Sequence, residues 1–153
     1  MNRELLKKIY LFQNLTNTDL DQILKITGKE TFKAADVIFK EGSQGDKLYI
    51  IISGEVRISR MMHSGSEEAL SVLKTGDFFG EMSLIDDNER SADAIANSEC
   101  TLVTIKRDDF ESLLFLNKDI AHSILWAFTR TLSTRLRETN EKMKSIIALK
   151  GNF

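Results

Sequence analysis

The chain has 153 residues, 42% hydrophobic and 29% charged, with a formal net charge of −2. That length suits one domain with enough apolar residues for a core, and the balanced charge argues against broad nucleic-acid binding, which wants a basic face. The single cysteine, Cys100, excludes a disulfide framework or a four-cysteine metal site within the chain, and in ECTLVTIK it reads as a small core hydrophobe.

The N-terminal residues MNRELLKKIYLF mix charge with apolar side chains and lack the continuous apolar run of a signal peptide. No stretch is long enough to span a bilayer, so a cytoplasmic chain without membrane contact is expected. Leu5, Leu6, Ile9 and Tyr10, then Leu15, Leu20, Ile23, Leu24 and Ile26, predict short amphipathic helices within residues 1–30. Asn17 or Thr18 is expected to cap the second helix and Gly28 to end it.

From Thr31 to residue 106 the period shortens. Runs rich in Ile, Val, Phe and Tyr are punctuated by glycines at 42, 45, 54, 65, 76 and 80, and Glu55-Val56-Arg57-Ile58-Ser59 alternates polar with apolar. Many short strands between glycine turns predict a β-sandwich or barrel. Over 108–150 helical periodicity returns, with Ile124, Phe128, Leu132, Leu136, Thr139, Met143 and Ile146 or Ile147 on one stripe and no Gly or Pro between Arg107 and Lys150. The stripe resembles a coiled-coil seam. It either packs on the β-region alone or meets a partner helix. At about 1.5 Å per residue such a helix outruns the β-region, which favours self-pairing through 119–149. Trp126 lies off the seam and is expected to pack on the β-region. The expected fold is α+β, mainly β: a jelly roll with short N-terminal helices and a long C-terminal dimerisation helix, one domain over 1–153.

The stretch FGEMSLIDDNERSADA, residues 79–94, carries the chemistry. Glycines at 76 and 80 permit close backbone approach. A helical turn after Gly80 would present the amides of Glu81, Met82 and Ser83 to an anion. Arg90 offers a forked cationic donor set suited to phosphate, Ser91 adds a hydroxyl, and Glu81 offers acceptors for sugar hydroxyls. The residues alone leave open a second arrangement, a Glu81–Arg90 salt bridge closing a turn. His63 and His122 have no ligand-spaced partners, so neither a metal site nor a catalytic centre is expected. The tail from Arg130 holds six Lys/Arg against two Asp/Glu, either a docking helix for an acidic partner or a solvated coiled-coil face.

Phe79, Gly80, Glu81, Met82, Ser83, Leu84, Arg90, Ser91 and Ala92 resemble, in order, the phosphate-binding cassette of the cyclic-nucleotide-binding domain family. Upstream, IFKEGSQGDKLYIIISGEVRIS is similar to the EG–GD–LYII–G–V signature of that family, and Leu11-Phe12 with Leu15 matches its leading helical segment. The resemblance spans roughly residues 5–150. It implies that Glu81 holds the ribose 2′-hydroxyl and Arg90 the cyclic phosphate. The Ser83 amide and Ser91 side chain would complete the phosphate site, with Gly80 allowing the approach. In bacterial activator-type members the long helix meets the base, partly across a dimer, and the turn Arg135–Lys142 resembles that element, with Thr139 and Asn140 in the base-contacting places. The ligand implied is cyclic AMP, alternatively cyclic GMP, with no metal. No helix-turn-helix, second tandem domain or membrane span is legible, so the expectation is a stand-alone sensor that signals through its C-terminal helix to an unidentified protein effector. The alternative is a scaffolding relative that has lost the ligand.

Overall fold

The computed structural model describes residues 1–151; Asn152 and Phe153, at the end of the 1–153 span, lie outside the described residues. Two N-terminal helices, α1 (Arg3–Lys7) and α2 (Asn17–Lys25), flank a 3₁₀ turn at Tyr10–Phe12. Thr16, rather than Asn17 or Thr18, caps α2. Its hydroxyl accepts from the Asp19 amide, while the Asp19 carboxylate accepts from the Thr16 amide at 3.0 Å. This reciprocal capping box satisfies two helix-end donors at once, whereas Asn17 would have Leu20 as its N3 partner and the carboxylate that could serve Thr18, Asp21, is taken by Arg3. Gly28 does not end the helix. It lies inside β1 (Thr27–Phe32), so the β-region starts at residue 27 and not 31. A Cβ at Gly28 would lie 2.8 Å from Thr104 Oγ1, which accounts for the glycine by strand packing.

The remaining strands are β2 (Val37–Phe39), β3 (Lys47–Ser53), β4 (Val56–Met61), β5 (Glu67–Leu73), β6 (Phe78–Phe79), β7 (Asp93–Ala96) and β8 (Cys100–Lys106). They form two antiparallel four-stranded sheets, ordered β1-β8-β3-β6 and β2-β7-β4-β5. Strand alternation divides the core between them. On β3 and β8, Leu48, Ile50, Val103 and Ile105 face the helices, while Tyr49, Ile51, Cys100 and Leu102 face the opposite sheet. The two-residue side-chain period produces both layers from the same strands. Cys100 is buried there as expected from its sequence context.

Beyond β8 the helical region is two helices, α4 (Arg107–Leu116) and α5 (Lys118–Lys150), not one. Asn117 is extended between them and caps α5 by accepting from the Ile120 amide at 3.0 Å. A side-chain cap can thus break a helix with no Gly or Pro present. Over its 33 residues α5 is about 50 Å long. The apolar stripe of α5 serves two surfaces in turn. Ile120, Ile124, Ala127 and Phe128 are buried in the core of the same chain, whereas Leu136, Met143, Ile146 and Ile147 are exposed. Trp126 does not pack on the roll. It is 53% exposed, with the Arg130 guanidinium 5.4 Å from its ring centroid.

Candidate functional site

The site begins with β6. Phe79 pairs with Tyr49 across the sheet and stacks on it at 5.1 Å, and Phe39 tilts against both rings at 5.8 Å. The Arg90 guanidinium lies on that aromatic floor, 4.2 Å from the Phe39 centroid. The Arg90 backbone is fixed by two hydrogen bonds, its amide to Ser43 O and its carbonyl from the Gly42 amide, both 2.8 Å. Its side chain donates through Nη1 to Gly80 O and through Nη2 to Lys47 O, both at 2.8 Å. Arg90 is only 4% exposed, and its Nε has no partner. Burial pulls its pKa down, opposed by the nearby Tyr49, Asp46 and Glu81. A guanidinium keeps its proton through such a shift. A buried cation with an unmet donor is costly unless an anion arrives.

Gly80 has φ +81, and a Cβ there would lie 2.6 Å from Arg90 Nη1 and 3.1 Å from Lys47 O. Only glycine lets Arg90 reach this place. Gly45, which sequence reasoning did not single out, has the same function from the other side, since its Cβ would strike the buried Ser83 side chain at 2.2 Å. Gly76 also has positive φ, but nothing lies within 4 Å of its Cβ position. Its freedom makes the turn into β6, not a close approach.

After Gly80 the chain enters a short helix, α3 (Met82–Asp86), whose first amides have no side-chain cap. Glu81 precedes it and is 3% exposed. It does not pair with Arg90, so the closed-turn salt bridge is absent. Instead its Oε1 accepts from Arg135 Nη1 of α5 at 2.8 Å. Arg135 Nη2 also donates to the Phe78 carbonyl, and the guanidinium lies 5.1 Å over the Phe78 ring. In the sequence Arg135 figures only as the start of the turn Arg135–Lys142, and its pairing with Glu81 is not foreseen, although its place four residues before Thr139 puts both on one helix face.

These groups line a cavity of about 740 Å³. Arg90, Ser91, Ala92, Phe79, Gly80, Glu81, Met82 and Ser83 form one wall. Ile58, Leu70 and Val72 of β4 and β5 add apolar surface, and α5 crosses the opening with Thr131, Arg135 and Thr139. The Lys142 ammonium fastens the helix further along, donating to Leu70 O at 2.9 Å. Thr139 faces the cavity, and its hydroxyl donates to Arg135 O at 2.9 Å. Asn140 does not. It borders a shallow groove on another face of α5 with Arg137, Glu141 and Ile147, because adjacent helical residues point about 100° apart. A buried cation, a buried carboxylate and an apolar wall in one chamber suit an amphiphilic small molecule with an anionic group and a hydroxyl. Among the described residues, no three metal-ligating side chains cluster and no helix is long and apolar enough to cross a membrane.

Comparison with known proteins matches this geometry to a family. The profile described as cyclic nucleotide-binding domain covers residues 29–117. A CRP-like cAMP-activated global transcriptional regulator of Mycobacterium tuberculosis is 33% identical over 94% of this chain and 62% of its own length. The cyclic AMP receptor protein of Thermus thermophilus is 35% identical over 85% of this chain and 58% of its own. This chain thus spans about three-fifths of the length of these curated relatives. The crystal structure of the N-terminal domain of a transcriptional regulator from Streptomyces coelicolor A3(2) superposes with a TM-score of 0.73 at 30% identity, covering 91% of this chain and 94% of that one. With the jelly roll, the long C-terminal helix and the cassette in place, the chain belongs to the cyclic nucleotide-binding domain family.

Proposed function

We propose that this protein is a cyclic-nucleotide sensor whose ligand is cyclic AMP and whose output is the position of α5. One observation carries the reading: the buried Arg90 guanidinium, with Nε unpartnered, shares a cavity with the buried Glu81 carboxylate. The cyclic phosphate meets Arg90, the Ser83 amide and Ser91, and the ribose 2′-hydroxyl donates to the Glu81 oxygen that Arg135 leaves free. The base lies along the apolar wall toward α5, where Thr139 retains lone pairs for an exocyclic amine. The names of the two bacterial relatives given above favour the adenine nucleotide over cyclic GMP.

A second copy of the chain fits the exposed stripe Leu136, Met143, Ile146 and Ile147, the outer part of the 119–149 segment. In such a dimer Asn140 faces the partner and not the cavity of its own chain. Ligand that touches both roll and helix then biases α5, and through it the dimer and a protein effector, as a population shift. The role is regulatory and not catalytic.

The test is displacement of a fluorescent cyclic-nucleotide analogue. Cyclic AMP is expected to displace it at micromolar concentration, cyclic GMP less well, and linear 5′-AMP poorly. Failure of the probe and of both cyclic nucleotides to bind the folded protein would refute the reading and place the chain with scaffolding relatives that lack a ligand.

A further inference from the structure

Arg107 is the first residue of α4, yet its side chain reaches back to the cassette. Its guanidinium donates to the Asp87 carboxylate, to the Ser83 carbonyl and, at 3.0 Å, to the Gly45 carbonyl. Its backbone amide donates to Asp46 O at 2.8 Å. The Arg107 side chain is 22% exposed, while Asp87 stands at the surface. Asp87 ends α3 in the left-handed conformation, φ 58. A cation that gathers one carboxylate and two carbonyls makes charge-assisted hydrogen bonds to each. Among the described side-chain hydrogen bonds, Arg107 alone joins α3 to α4.

α3 therefore answers to two things. Its start presents Glu81 and the leading amides to the cavity. Arg107 holds the same helix at the carbonyl of Ser83, its second residue, and at Asp87, just past its last, and Arg107 starts the α4–α5 segment that folds back across the cavity mouth. Because α3 is only five residues long, it moves as a unit. A shift at the ligand end is delivered to Arg107.

We propose that Arg107 is a positioning residue that couples occupation of the cavity to the placement of α4 and α5. This rests on the nucleotide-sensor reading. Arg107 touches no ligand atom. It converts movement of α3 into movement of the first turn of α4, while Gly45, packed on Ser83 and accepting from the same guanidinium, keeps the neighbouring loop in step.

The test uses the full chain with two nitroxide labels, one at exposed Lys29 on β1 and one at exposed Ser145 on α5. Saturating cyclic AMP is expected to change the label distance in the parent. Arg107→Ala is expected to bind with affinity within about tenfold of the parent, a usual size for one coupling contact, and to lose the distance change. Asp87→Asn, which keeps a residue tolerant of positive φ, is expected to reduce the change in the same direction. The double variant is expected to be no worse than Arg107→Ala, since both act through one contact. Arg107→Lys, with one ammonium for three acceptors, is expected to recover part of the change. A full distance change in Arg107→Ala with only a lowered melting temperature would overturn the proposal and leave Arg107 structural. So would a parent that binds nucleotide without any distance change. A parent that binds no nucleotide would instead refute the sensor reading, and this proposal with it.

Discussion

Replacing Arg135 by alanine removes, among the described residues, the only ion pair by which α5 closes on the cassette wall. The Glu81 carboxylate that it leaves behind is 4% exposed, and Arg135 itself is 30% exposed. Removing one partner of a fully buried pair costs about 3–5 kcal/mol, because the remaining charge stays buried and uncompensated. Partial exposure on the Arg135 side lets water reach the gap, so about 2 kcal/mol is expected. For a chain of this size that is roughly 4–8 °C in melting temperature. The asymmetry between partners is the sharper expectation. Glu81→Gln leaves behind Arg135, whose head reaches water and keeps its bond to the Phe78 carbonyl, so that variant is expected to lose only about 1 kcal/mol. In the double variant no buried carboxylate remains, so most of the Arg135→Ala loss is expected to return. Urea denaturation of the parent, both single variants and the double variant measures the cycle. A harmless Arg135→Ala, or a double variant in which the two losses simply add, would refute the account of how α5 is fastened.

Gly80→Ala is expected to lower cyclic-nucleotide affinity by tenfold or more in the displacement assay, although the methyl group touches no ligand, because it would sit 2.6 Å from Arg90 Nη1 at a positive-φ position. Met143→Glu with Ile147→Glu, both on the exposed α5 stripe, is expected to convert a dimer to monomer by light scattering while leaving the melting profile of the roll unchanged. Unchanged mass would remove α5 from the dimer account. Hydrogen bonds from Arg3, Arg57 and Arg60 hold Asp21, Glu67 and Glu41 below the usual carboxylate range. A carboxylate with a depressed folded pKa binds fewer protons folded than unfolded, so its stabilisation is full above the ordinary carboxylate pKa and is lost as the pH falls through the lowered value. The melting temperature is therefore expected to drop between about pH 5 and pH 3, and added salt to weaken these solvent-facing contributions. A melting temperature that rises on acidification would contradict the sign.

The cassette was legible because its information is local. The glycine conformation of Gly80, the acid at 81 and the cation at 90 fall within one short stretch, and the alternation along β3 and β4 announces a roll around them. What escaped depends on side chains meeting across the fold. Arg135 and Glu81 are 54 residues apart, and nothing near either residue marks the other. Phe39, the platform for Arg90, reads in sequence as one more strand aromatic. Asn140 was matched by position in a motif, and a single helical step sets it on another face of α5 from Thr139. The break at Asn117 is written in its capping side chain, which accepts from the Ile120 amide, and not in a glycine or a proline. Trp126 faces solvent because α5 had already filled its core-facing positions with Ile124, Ala127 and Phe128.

The central claim is that Arg90 holds the anionic group of a cyclic nucleotide in this cavity. Calorimetric titration of cyclic AMP into the parent and into Arg90→Ala, with thermal melts of both to confirm folding, tests it most directly. The parent is expected to bind in the micromolar range. The variant is expected to lose roughly a hundredfold or more, because a charge-assisted bond of about 1.5–3 kcal/mol disappears and the buried phosphate is left unpaired. No heat from the folded parent, or equal affinity in the folded variant, would contradict the account.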